Sequence, residues 1–202
     1  MNTTLNEIRA HQPCTESWKV LLRSLNKTQA DDEPLPYARI LEICGLNNCL
    51  WAIAHCHPHG SRICAEFALW CAESVRHLMM DPRSIAALDV TRQYLDGNAT
   101  LEQLRAAREA AERATNESSY ANAAAYAARA AARASAYAAD CASAWAAARA
   151  ADYAAAREAA YAAHASAWEA DDAAGVAGAA AYAAARTAQK SRLLELLEEG
   201  MP

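Results

Sequence analysis

The chain has a single Phe, Phe67, and only six Gly and six Pro in 202 residues. So few turn formers leave little room for a β-sandwich or for many hairpins. No apolar run approaches the roughly 18–20 residues that a membrane-spanning helix needs. The opening segment, MNTTLNEIRAHQPC, is polar and lacks the apolar core of an export signal. Positive charge is also in short supply: 19 Lys and Arg against 24 Asp and Glu give a net charge of −5. That balance argues against a nucleic-acid binder, which needs a concentrated basic face. Gly-rich phosphate loops, GxSxG and HExxH are absent as well, so no familiar catalytic motif is present. Together these absences predict a cytoplasmic protein without membrane or nucleic-acid contacts, not an enzyme, and with no cofactor.

Seven Cys, an odd number, sit in a chain without an export signal, which predicts thiols instead of a disulfide framework. Several lie at helical spacing beside Leu and Trp, where a free Cys behaves as a small hydrophobe.

What remains is helix-forming. Residues 1–98 read as short amphipathic helices with a conventional core. Thr4 to Glu7 has capping-box spacing and opens a helix that must end before Pro13. Thr15 can cap the next, which aligns Trp18, Leu21, Leu22 and Leu25 on one face. Asp31, Asp32 and Glu33, followed by Pro34, look like the acidic entry to a helix through Ile40, Leu41 and Ile43, closed by Gly45. Asn47 or Asn48 starts another, stopped by Pro58 and Gly60. Ser61 opens a longer helix whose inward residues run from Ile63 to Val75 and Leu78. Asp81–Pro82 starts one more, and Gly97 closes it. Links this short place consecutive helices antiparallel.

Residues 99–202 have different chemistry. A second capping box, Thr100 to Gln103, leads into a helix ending at the polar run Asn116–Ser119. In 119–188, forty of seventy residues are Ala and none is Pro, with Gly175 and Gly178 the weak point. At about 100° per residue, Asn122, Tyr126, Arg129, Arg133, Tyr137 and Asp140 form one stripe. Aromatic–Ala–Ala–Ala–Arg then recurs at Trp145–Arg149, Tyr153–Arg157 and Tyr182–Arg186, a spacing that sets each Arg over its ring. Trp145 and Trp168 fall off the first stripe, so two or three helices are expected, with breaks near Asp140, Asp152 or Asp171–Asp172. Burying the rings is the simpler expectation. The alternative packs helices through Ala and presents the rings and Arg heads outward. The expected architecture is all-α, an array of short antiparallel helices packed against an Ala-rich multi-helix half, and the two regions read as one continuous globular unit.

Three segments carry candidate chemistry. Asp31, Asp32 and Glu33 with Arg129, Arg133, Arg149, Arg157, Tyr153 and Trp168 are the candidate partner contacts, since Arg and aromatic residues dominate binding hot spots. His55, Cys56, His57, His59 and Cys64 hold zinc-type donors, but without paired CxxC or HxxxH spacing, so a His-rich turn is the plainer expectation. The dispersed Asp140, Asp152, Asp171 and Asp172 do not suggest a calcium loop.

The run from Asn6 through Ile53, the run from Phe67 through Thr100, and the Ala/Arg/aromatic tail resemble a family of predicted immunity proteins. Its members occur in bacterial polymorphic-toxin loci and as stand-alone genes of tailed phages and prophages. The resemblance covers roughly residues 5–190. Its most distinctive words are Ala30–Pro34, Trp70–Ala72, His77–Met79 and Ala87–Val90. It implies an all-helical protein that neutralises a toxin by binding it, with no catalytic residues to carry over; a monomer or small homo-oligomer is expected. The acidic balance suits a partner with a basic surface. The rival expectations are a self-associating structural protein and a metal-binding protein using His55–Cys64.

Overall fold

The structure, a computed structural model, describes residues 1–117, 146–150 and 171–199, with side chains from 115–117 and 171–175 left aside. It is all-α apart from one two-residue pairing. The elements are β1 (Asn2–Thr3), α1 (Leu5–Ala10), α2 (Thr15–Ser24), β2 (Leu35–Pro36), α3 (Tyr37–Cys56), α4 (Gly60–Glu73), α5 (Pro82–Leu95) and α6 (Leu101–Glu117). A helical segment at 146–150 and α7 (Asp171–Glu198) complete them. Among these no helix is long and apolar enough to cross a membrane.

Local chemistry sets most boundaries. The Thr4 hydroxyl accepts from the Glu7 amide and the Glu7 carboxylate accepts from the Thr4 amide, so the capping box forms as expected. We expect Thr4→Ala to lower the urea unfolding midpoint by the equivalent of about 1 kcal/mol. An unchanged midpoint would show that the box adds nothing. Asp81 caps α5 through the Arg83 amide, with Pro82 in the first turn, and Gly97 takes φ 78° just past its end. Thr100 and Gln103 form the second box.

Three expectations need correction. α2 is capped by the Cys14 sulfur, not Thr15, which is its first helical residue. Gly45, at φ 76° and ψ 176°, does end one helical limb of α3 as expected, and the second limb carries Asn47 and Asn48 in its first turn. α4 ends at Glu73, and Val75 and Leu78 belong to a 3₁₀ turn around Arg76–Leu78; Val75 is nonetheless buried. Gly175 and Gly178 do not interrupt α7. The strand pair, Asn2 against Pro36 and Thr3 against Leu35, was not foreseen. Two residues per strand carry no periodicity to read.

Consecutive helices pack on one another from α2 through α6. The main core gathers Tyr37, Ile40, Leu50, Ile53, Ile63, Phe67 and Leu69 from α3 and α4, all nearly inaccessible to water. Leu193, Leu196 and Leu197 of α7 enter the same cluster, as do Ala147 and Ala148. A smaller cluster, Ala87, Leu104 and Ala111, joins α5 to α6. Each fully buried Leu contributes on the order of 1.5–3 kcal/mol through removal of apolar area from water.

Candidate functional site

Between α2 and α3 the chain forms an acidic loop. Asn26, at φ 55°, turns it back. The Lys27 ammonium then lies 2.6 Å from an Asp31 oxygen and 2.6 Å from a Glu33 oxygen. Asp31 also accepts from the Glu33 amide at 3.2 Å. Two bonds tie the loop to α1: the Asn6 amide donates to the Asp31 carbonyl at 3.1 Å, and Asn6 Nδ2 donates to Asp32 at 2.8 Å. Lys27 holds the Asp31 carboxyl below its ordinary range, and Asp31 and then Glu33 raise the Lys27 pKa. The expected role as a helix cap is not what forms. α3 is preceded by Pro36, without a side-chain cap, because Pro34 and Pro36 keep the intervening chain extended. The Glu33 side chain remains 72% exposed, and Asp32 is exposed too. Two of the three carboxylates pair with the Lys27 ammonium and Asp32 bonds Asn6, which leaves a fixed patch of net negative charge.

The Ala-rich half places its described residues as follows. Arg186 sits 5.5 Å from the centre of the Tyr182 ring, the i,i+4 stack that the spacing predicts. Its guanidinium also donates to Tyr182 Oη at 3.4 Å and to Gln189 Oε1 at 3.1 Å. Gln189 is buried and donates through Nε2 to the Ala148 carbonyl at 3.0 Å. Forty-one residues separate that pair in sequence, so the bond joins the segment at 146–150 to α7. Ala147 and Ala148 are fully buried, whereas Arg149 is exposed and Tyr182 is 42% exposed. At these positions Ala packs inward and the ring faces out, against the simpler expectation of buried rings. Arg129, Arg133, Arg157, Tyr153 and Trp168 lie outside the described residues.

The His/Cys segment does not converge. His55 stacks on Trp51 at 4.7 Å, and its Nδ1 bonds the Trp51 carbonyl at 2.8 Å. His57 Nε2 meets the Met1 sulfur, its Nδ1 accepts from the His59 amide, and His59 is exposed. Cys64 is buried with its thiol on the Leu50 carbonyl. Among the described residues no three His, Cys, Asp or Glu are grouped to hold a metal ion. The His57 and His59 rings flanking Pro58 lie 6.0 Å apart, centre to centre.

One concave feature was missed by sequence reading. A cleft of about 300 Å³ opens between α1, α2 and α3, walled by Ile8, Trp18, Leu21, Ile40 and Trp51. Polar groups line it too: Cys14, Ser17, Cys44, Asn47 and Asn48. Ser17 Oγ donates to Asn48 Oδ1 at 2.9 Å across it. The half-buried Trp18 and Trp51 were legible as inward residues of two helices, but not as walls of one cleft.

No family model, curated protein or solved structure matches this chain. The resemblance to predicted immunity proteins rests on the sequence words that carry it.

Proposed function

We propose that this chain is a non-enzymatic, cytoplasmic binding protein that neutralises a toxin or effector protein by seating its acidic loop on a basic surface of that partner. The supporting observation is the state of Asp31, Asp32 and Glu33. They cap no helix, yet Lys27 and Asn6 hold them in a fixed exposed arrangement. A preordered anionic patch loses little side-chain freedom on binding and steers a basic partner by charge. The resemblance to predicted immunity proteins points the same way. Arg149 and the Tyr182–Arg186 stack offer a second contact surface. Inhibition follows from occlusion: a partner that acts on nucleic acid needs its basic face free.

The test begins with a partner captured from the native host and then purified. Asp32→Lys with Glu33→Lys is expected to weaken its binding about tenfold or more, with a reduced salt dependence. Asp31 is left intact because it organises the loop. The reading fails if these reversals, together with Arg149→Ala, leave affinity unaltered. Val176, apolar and 70% exposed on α7, favours a second reading, self-association through that helix. Sedimentation across a concentration series separates the two, since a concentration-independent monomer excludes assembly.

A further inference from the structure

We propose that the cleft between α1, α2 and α3 is a binding site for a neutral, planar aromatic molecule that carries a carboxamide or lactam group. At about 300 Å³ the cleft lies at the lower end of the range of small-molecule sites. Ile8, Leu21 and Ile40 line it and are buried, while Trp18 and Trp51 on its walls stay partly exposed. Among the described residues no Asp, Glu, Lys, Arg or His belongs to its lining. Another cavity, of about 310 Å³ beside the acidic loop, is lined by Lys27, Glu33 and Arg39.

The missing charge decides the class of occupant. An ion entering the cleft would lose hydration with no opposite charge to replace it. A neutral aromatic ring gains instead, by covering apolar surface and by packing against indole.

The cleft is also formed in advance. Ser17 Oγ donates to Asn48 Oδ1 at 2.9 Å, and Asn48 Nδ2 donates to the Cys44 carbonyl at 2.8 Å. These bonds tie α2 to the second limb of α3. Trp51 is backed by the His55 ring, stacked 4.7 Å away, whose Nδ1 bonds the Trp51 carbonyl at 2.8 Å. Asn48 is not used up by its role as a tie. A carboxamide offers two N–H donors and two oxygen lone pairs, and the described bonds occupy one of each. The remaining donor and lone pair match the carbonyl and N–H of another amide. This site shares no residue with the acidic loop, so its occupancy and the capture of a protein partner are separable.

The experiment titrates the full chain with naphthalene-1-carboxamide by calorimetry. Saturable one-to-one binding is expected, with a Kd below about 1 mM. Naphthalene-1-carboxylate, nearly the same shape but anionic, should bind about tenfold more weakly or worse. Asn47 is exposed on the cleft lining, so Asn47→Phe adds a ring there without touching the core and should weaken the carboxamide about tenfold, with unchanged circular dichroism. Asn48→Leu removes the amide partner and should weaken it by a similar factor. The proposal is overturned if carboxamide binding does not saturate, if the carboxylate binds equally well, or if Asn47→Phe binds like the parent. Parent-like affinity in Asn48→Leu would remove the amide from the assignment.

Discussion

Gly60→Ala is expected to destabilise the fold by about 3 kcal/mol or more, read as a lowered urea midpoint by far-UV circular dichroism. Helix propensity alone predicts the opposite sign, since Ala is favoured over Gly by about 1 kcal/mol within a helix. Contact decides the matter. A β-carbon at Gly60 would lie 2.0 Å from the Ile53 carbonyl oxygen, 2.8 Å from the Ile53 carbonyl carbon and 2.9 Å from the Ala54 α-carbon. All three are backbone atoms of α3, so no rotamer change relieves them. The Gly60 amide also donates to the His57 carbonyl at 2.9 Å, which fixes the link between α3 and α4. Gly45 offers the contrast: nothing lies within 4 Å of its would-be β-carbon, and only its positive φ resists a side chain. Its replacement by Ala should cost about 1–3 kcal/mol, since φ 76° with ψ 176° is a conformation open essentially to Gly alone. An unchanged midpoint for Gly60→Ala would mean that α3 and α4 do not approach so closely.

Leu193→Ala is expected to remove about 2–5 kcal/mol, the usual range for emptying a fully packed leucine site. Leu193 is wholly inaccessible to water, and with Leu196 and Leu197 it joins a cluster built mainly from α3 and α4. Val176→Ala, on the same helix but exposed, should stay within about 0.5 kcal/mol of the parent. The comparison separates seating of α7 in the core from a general effect on an Ala-rich helix. If both variants melt alike, α7 is not seated as described.

The sequence pattern revealed the helices well wherever a boundary is local. Thr4 with Glu7, Asp81 with Pro82, Gly97, and Thr100 with Gln103 each satisfy or free backbone groups within a few residues, so short spacings suffice to recognise them. Cys14 escaped because sulfur is an uncommon cap and Thr15, one residue on, is a better candidate by composition. The acidic loop was found, but its role was misjudged. Lys27 reaches Asp31 and Glu33 within a non-helical loop, where the i,i+4 spacing to Asp31 marks no helix. The Tyr182–Arg186 stack was legible because i,i+4 geometry belongs to one helix. Which side of that helix meets the core was not, because Ala packs against Ala almost as readily as a ring packs against Leu. The cleft was invisible for a related reason: it exists only once α2 lies across α3.

The seating of Leu193, Leu196 and Leu197 among residues of α3 and α4 has a consequence for biosynthesis. About a hundred residues separate Leu95, where α5 ends, from these leucines. At about 5–20 residues per second, a ribosome needs several seconds to cross that interval. Throughout, the nascent chain holds an unfilled apolar socket open to chaperones and to neighbouring chains, and closure waits on the arrival of α7.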